Sequence, residues 1–233
     1  MTDPAAGGAA CWGTRLAPAR HALLRVEPAA YALTLAGRAE LAGEALLADW
    51  AALSRPLIAR RRNNCDGAGL IAAGIPLPPA QGKKRIALQF DPGAILSIEP
   101  PPLLADAARA APTGWRATIA AICELCRRAG VEVRAFGALA WARLTDLEYL
   151  SASSDLDLLI AVHEDTDVAA LLDGLARIEA GAPMRLDGEI IRSGLAANWR
   201  ELYAGADEVL VKTIDGVLMR PRAALLSSAV PCA

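Results

Sequence analysis

The sequence predicts an α/β (α+β) protein in two parts: a smaller α+β domain, then a mixed sheet with flanking helices. Three observations carry that reading. Apolar residues recur at helical spacing in some segments and alternate in others. The proline-rich stretch SIEPPPLLADAARAAPTG, residues 97–114, interrupts both patterns near mid-chain. Beyond it, helical and strand patterns follow one another closely, an order that builds a sheet with helices against it. The expected division is a disordered leader at 1–15, an N-terminal α+β domain at 16–105, and a C-terminal domain at 106–233.

In the first half, ELAGEALLADWAAL (40–53) reads as a helix and RPLIARR (55–61) as a strand with basic alternate residues. GAGLIAAGIPLPPAQG suggests loops and a proline-limited segment, followed by a strand at 84–90. The second half is more sharply patterned. Residues 114–128 form an amphipathic helix that ends at Gly130, and VEVRAF (131–136) is a strand that runs into Gly137 and a short helical stretch. SDLDLLIAV (154–162) is a strand. DTDVAALLDGLARIEA (165–180) is a helix with polar starting residues and one apolar face. PMRLDGEII (183–191) alternates as a strand. EVLVKT and GVLMR, near 208–212 and 216–220, pair as a hairpin around Ile214-Asp215.

Composition limits the function classes. Apolar residues make up 54% of the 233, largely Ala, Leu, Ile and Val, and aromatics only 4%. No apolar run approaches the roughly 18 residues of a membrane span. The first fifteen residues lack the basic start and apolar stretch of a signal peptide. A formal net charge of −2 gives no global argument for nucleic-acid binding. Five cysteines at scattered spacings make no disulfide framework, which points to a reducing cytoplasm. Cys123-x-x-Cys126 resembles half of a redox or zinc motif. Both residues share helical spacing with Trp115, Ile119 and Ile122, so they belong to a buried helix face.

The chemistry concentrates in FGALAWARLTDLEYLSASSDLDLLI, residues 136–160. On a strand, Asp155 and Asp157 point to one face, roughly 6.6 Å apart along it, while Leu156 and Leu158 fill the other. Adjacent carboxylates repel unless a proton or cation relieves them. Magnesium, or manganese, suits such oxygen ligands and leaves places for phosphate oxygens. A third carboxylate is available on a later strand at Asp187, with Glu189 as its alternate. Gly137 ends one strand and opens a helix, where a backbone without a side chain lets phosphate approach and helix N–H groups can bind it.

Strand, glycine, helix and D-x-D in this order resemble the polymerase-β-like nucleotidyltransferase superfamily. More narrowly, RPLIARR, GIPLP with GKKRIAL, FGALAW, LTDLEYLSASSDLDLLI, RLDGEI, NWREL and VLVKT resemble the malonate decarboxylase holo-acyl-carrier-protein synthase family, also called phosphoribosyl-dephospho-CoA transferases. The family commonly reads GSLAW where this chain has Ala138. That change removes a hydroxyl contact to phosphate and keeps the backbone N–H.

The resemblance implies transfer of phosphoribosyl-dephospho-CoA from triphosphoribosyl-dephospho-CoA to a serine of the acyl-carrier subunit of malonate decarboxylase, with loss of pyrophosphate. It implies that Asp155 and Asp157 hold the metal, that Asp187 is third ligand or base, and that Gly137 admits the triphosphate. Basic residues are then expected along the polyphosphate: Lys212, amid the apolar VLVKT, and also Arg60, Arg61, Lys83, Lys84, Arg85 and Arg134. Trp141 and Trp199 are expected in the core, with base stacking as the alternative. No nucleic-acid or membrane partner is expected. Competing readings are a nucleotidyltransferase that uses ATP, a non-catalytic nucleotide- or carrier-binding module favoured by Ala138, and a metal-dependent nuclease. The glycine turn and the absence of net positive charge weigh against the last.

Overall fold

The computed structural model describes residues 12–214 and 216–226. The chain divides into two compact units, the first running to Pro101 and the second starting at Pro102. The expected leader at 1–15 lies mostly outside the described residues.

The first unit opens with a small hairpin, β1 (Gly13–Thr14) against β2 (Ala17–Pro18). Its body is an antiparallel sheet in the order β6-β5-β4-β3-β7. The strands are β3 (Leu23–Val26), β4 (Leu57–Ala59), β5 (Ile71–Pro76), β6 (Arg85–Phe90) and β7 (Ile95–Glu99), and the helices are α1 (Pro28–Ala36) and α2 (Ala45–Ala48). Glu27 caps α1 by accepting from the Ala30 N–H at 2.6 Å, and Pro28 occupies the first turn, where no N–H is needed. The core is closed by aromatic side chains whose polar ends are satisfied. Trp50 donates to the Pro56 carbonyl at 3.0 Å and Tyr31 to that of Leu47 at 2.9 Å.

Three expectations need correction here. The segment 40–53 is not one helix: a single 3-10 turn (Ala39–Leu41) and α2 share it, and the regular helix lies earlier, at α1. The segment read as loop is β5. Its Ile71 through Ile75 are all buried, so its small residues show no alternation to read. The front of the stretch 97–114, which interrupts both patterns in the sequence, is the end of the edge strand β7, paired with β3.

The second unit holds α3 (Leu104–Ala107), α4 (Arg116–Arg128), β8 (Glu132–Ala135), α5 (Gly137–Thr145), β9 (Leu156–Ala161), α6 (Val168–Glu179) and β10 (Leu186–Arg192). It continues with β11 (Leu195–Asn198), α7 (Trp199–Ala204), β12 (Glu208–Lys212), β13 (Val217–Pro221) and α8 (Ala223–Leu226). The sheet order is β13-β12-β11-β10-β9-β8. Only β9 and β10 run parallel, as the crossover through α6 requires; the other pairs are antiparallel. The strand β11 was not foreseen. It follows β10 through Ser193-Gly194, both with positive φ (50° and 79°), which is the two-residue hairpin turn that favours glycine. The hairpin of β12 and β13 forms with Val211 opposite Leu218; Asp215, at its expected turn, lies outside the described residues.

One sheet face carries Leu156, Leu158, Ile160, Leu186, Ile190, Ala197, Val209 and Val211. All are buried in one core with Ile119 and Ile122 of α4, Leu171 and Leu175 of α6, and Trp199 and Leu202 of α7. Cys126 belongs to that core. Burial pushes its thiol up to about 12 and raises that of Cys123 too, as befits packing groups and not reactive thiolates. Ile122 is fully buried at the centre of this layer. Ile122→Ala is therefore expected to cost about 2–5 kcal/mol in chemical denaturation. By strand alternation the opposite face carries Asp157, Asp187, Glu189, Asn198 and Lys212.

Candidate active site

Asp157 is the centre of the site. It sits on β9 directly beside Asp187 of β10, its register partner in the parallel pair. Neighbouring strands lie about 4.8 Å apart, so the two carboxylates are held side by side. Asp155 precedes β9 by one residue and is partly exposed; the Arg185 guanidinium stands 3.7 Å from it. Burial pushes the Asp157 carboxyl up to about 7, and the charges of Asp187 and Asp155 add to the rise. A hydrogen bond from the Ala138 N–H works the other way. The site thus concentrates negative charge that its own cations do not balance.

The glycine turn is built around the same carboxylate. Gly137 has φ of +62°, and a Cβ there would meet Asp157 Oδ2 at 1.8 Å. The space that its missing side chain leaves is filled by Asp157, and the Ala138 N–H that could face phosphate bonds Asp157 in this structure. The Phe136 N–H donates to the Asp157 carbonyl at 3.1 Å, clipping the end of β8 to β9. Strand, glycine and helix N-terminus therefore act together to hold one aspartate.

Asn198 was not assigned a role from sequence. Its Nδ2 donates to Asp187 Oδ1 at 2.9 Å, while its own Oδ1 caps α7 through the Arg200 N–H at 2.9 Å. The signal was available in NWREL, where a polar residue ends a strand and starts a helix. Lys212 lies on the same face and donates to Glu189 at 2.9 Å. Glu189 is thus occupied by a cation, while Asp187 is the carboxylate that stands beside Asp157.

The remaining basic residues are placed differently. Arg134 of β8 is opposite Leu159, on the side of Asp157, and its Nε lies 2.6 Å from Glu132. Arg60 belongs to the first unit, where it pairs with Asp66 at 2.5 Å and donates to the Ala73 carbonyl at 3.1 Å. Arg61, Lys83 and Arg85 are exposed in that unit, and Lys84 pairs with Glu44. Trp141 and Trp199 are both buried, the latter donating to the Leu186 carbonyl at 3.2 Å. Neither offers a face for a base.

The donor set suits a hard cation in kind: three carboxylates, one of them with its pKa raised by burial and then by its neighbours' charge. Among the described residues, no three acidic, histidine or cysteine side chains converge as a metal-binding group. The fit is therefore one of ligand chemistry, with no coordination geometry attached.

Comparison with known proteins extends this reading over both units. Residues 19–101 match the N-terminal domain and residues 103–223 the C-terminal domain of phosphoribosyl-dephospho-CoA transferase MdcG. A phosphoribosyl-dephospho-CoA transferase of Bradyrhizobium diazoefficiens is 41% identical over 213 residues, covering 91% of this chain and 94% of that one. One of Xanthomonas campestris pv. campestris is 36% identical over 209 residues, covering 88% and 95%. No solved structure matches. Fold, acidic site and relatives together define a two-domain α+β transferase. The chain belongs to the phosphoribosyl-dephospho-CoA transferase family.

Proposed function

We propose that this transferase moves phosphoribosyl-dephospho-CoA from triphosphoribosyl-dephospho-CoA onto a serine of the acyl-carrier subunit of malonate decarboxylase. The serine oxygen forms a bond to the phosphorus next to the ribose, the bond from that phosphorus to the pyrophosphate breaks, and the hydroxyl proton is lost. The observation that supports this best is the family match across both units.

Asp155, Asp157 and Asp187 would hold magnesium or manganese, which when bound neutralises phosphate charge and orients its oxygens. Asp157 is kept in place by the Ala138 N–H, and Asp187 by Asn198. Asp187 is third ligand or base for the serine hydroxyl, and Lys212 faces the polyphosphate. The turn at Gly137 would serve the site by letting Asp157 lie close against the start of α5. Cys65, Cys123 and Cys126 are free thiols, in keeping with a reducing cytoplasm. No described helix is long and apolar enough to cross a membrane.

The test is to incubate the protein with apo carrier, triphosphoribosyl-dephospho-CoA and magnesium, then weigh the intact carrier. A gain equal to phosphoribosyl-dephospho-CoA, with pyrophosphate released and nothing transferred from ATP, is expected. Transfer from ATP in its place would move the function to adenylylation. Transfer from neither would leave a binding module.

A further inference from the structure

Glu189 and Lys212 form an ion pair on the sheet face that carries the aspartates. Glu189 follows Asp187 by two residues on β10, so it lies on the same sheet side, roughly 6.6 Å further along. Its side chain is only 4% exposed, and its Oε1 is 2.9 Å from Lys212 Nζ. Lys212 ends β12, and its register partner on the intervening strand β11 is Ala196. That single methyl leaves the lysine stem free to cross to β10. A buried carboxylate is costly unless paired, and an apolar pair would pack this sheet as well. The pair nevertheless stands beside the aspartates.

An ammonium on a four-carbon stem is otherwise a wandering charge. Here one of its three N–H donors goes to Glu189, and the side chain, which by strand alternation lies on the sheet face of the aspartates, remains 32% exposed. We infer that Glu189 is a positioning residue that holds the Lys212 ammonium against the phosphates of the donor, and is not itself a metal ligand. This rests on the donor reading above.

The experiment compares wild type with Glu189→Gln, Lys212→Met and the double variant. Titration calorimetry with inorganic pyrophosphate and magnesium gives binding without turnover; steady-state kinetics gives KM for the donor, KM for the carrier and half-saturating magnesium. Each single variant is expected to weaken pyrophosphate binding and raise donor KM about tenfold to a hundredfold, the effect of losing one charged hydrogen bond. The double variant should be no worse than Lys212→Met, with carrier KM and half-saturating magnesium unchanged, and Lys212→Arg should recover part of the loss.

Half-saturating magnesium that rises in Glu189→Gln and not in Lys212→Met would make Glu189 a ligand and overturn the inference. So would unchanged pyrophosphate binding with a lowered melting temperature, which marks a purely structural pair. Additive losses would overturn it too. Joint loss of pyrophosphate binding in a protein that does not use triphosphoribosyl-dephospho-CoA would leave the pairing standing and remove the donor reading alone.

Discussion

Asp157→Asn is expected to do two opposite things: to end transfer and to stabilise the metal-free protein at pH 8. The loss of transfer should be about 10²–10³-fold, the scale seen when one group that organises transition-state charge is removed. The gain in stability follows from proton linkage. In the folded protein the Asp157 carboxyl is pushed up to about 7 from an ordinary 3.8, mainly by burial and then by Asp187 and Asp155. The unfolded chain gives up this proton near pH 4, the folded protein only near pH 7. Stability therefore falls as pH rises between those values, and the deficit stays constant above them. At about 1.4 kcal/mol for each pH unit, the deficit is on the order of a few kcal/mol. Asparagine keeps the shape and has no proton to lose.

Thermal melts in chelator should therefore place the variant several degrees above wild type at pH 8, at about 2–4 °C per kcal/mol for a chain of this size. The difference should shrink toward zero near pH 4. Magnesium should raise the wild-type melting temperature and leave the variant's almost unmoved, since a cation that binds only the folded state stabilises it by mass action. A variant less stable than wild type at every pH would mean that the Asp157 carboxylate is held by favourable contacts and is not under strain.

The acidic site was legible because period-two alternation is a strong local signal. Asp155 and Asp157 inside SDLDLLI break an apolar strand, and the strand breaks only on one face. Asp187 could be read for the same reason, though not that its register would place it beside Asp157; register depends on the length of α6 and its loops. Lys212 was legible as a charge amid VLVKT, but its partner Glu189 is 23 residues away, beyond any local pattern. The first unit was read least well. Its strand β5 is buried along nearly its whole length and built of Ile, Ala and Gly, so neither alternation nor β-branched residues mark it throughout. Arg60 and Arg61 stand in the sequence as candidates for phosphate, because sequence shows a charge and not its neighbour. In the fold, Arg60 is bound to Asp66, whose side chain is 2% exposed.

Gly137→Ala is expected to abolish transfer and to cost more than about 1 kcal/mol in stability, since alanine at a positive φ is strained. Two separate effects meet there. At φ of +62° any Cβ strains the backbone, and the same Cβ would lie 1.8 Å from Asp157 Oδ2 and 3.1 Å from its Cβ. The carboxylate must leave, and with it goes the hydrogen bond from the Ala138 N–H that now fixes it. The two effects separate in a double-mutant cycle. With Asp157→Ala as background the carboxylate oxygen is gone, so Gly137→Ala should cost only the backbone strain and the remaining close contact. The stability penalty should fall by half or more, as read from chemical denaturation of all four proteins. An equal penalty in both backgrounds would show that Gly137 serves the turn alone, and that the close approach of Asp157 to the backbone has no part in building the site.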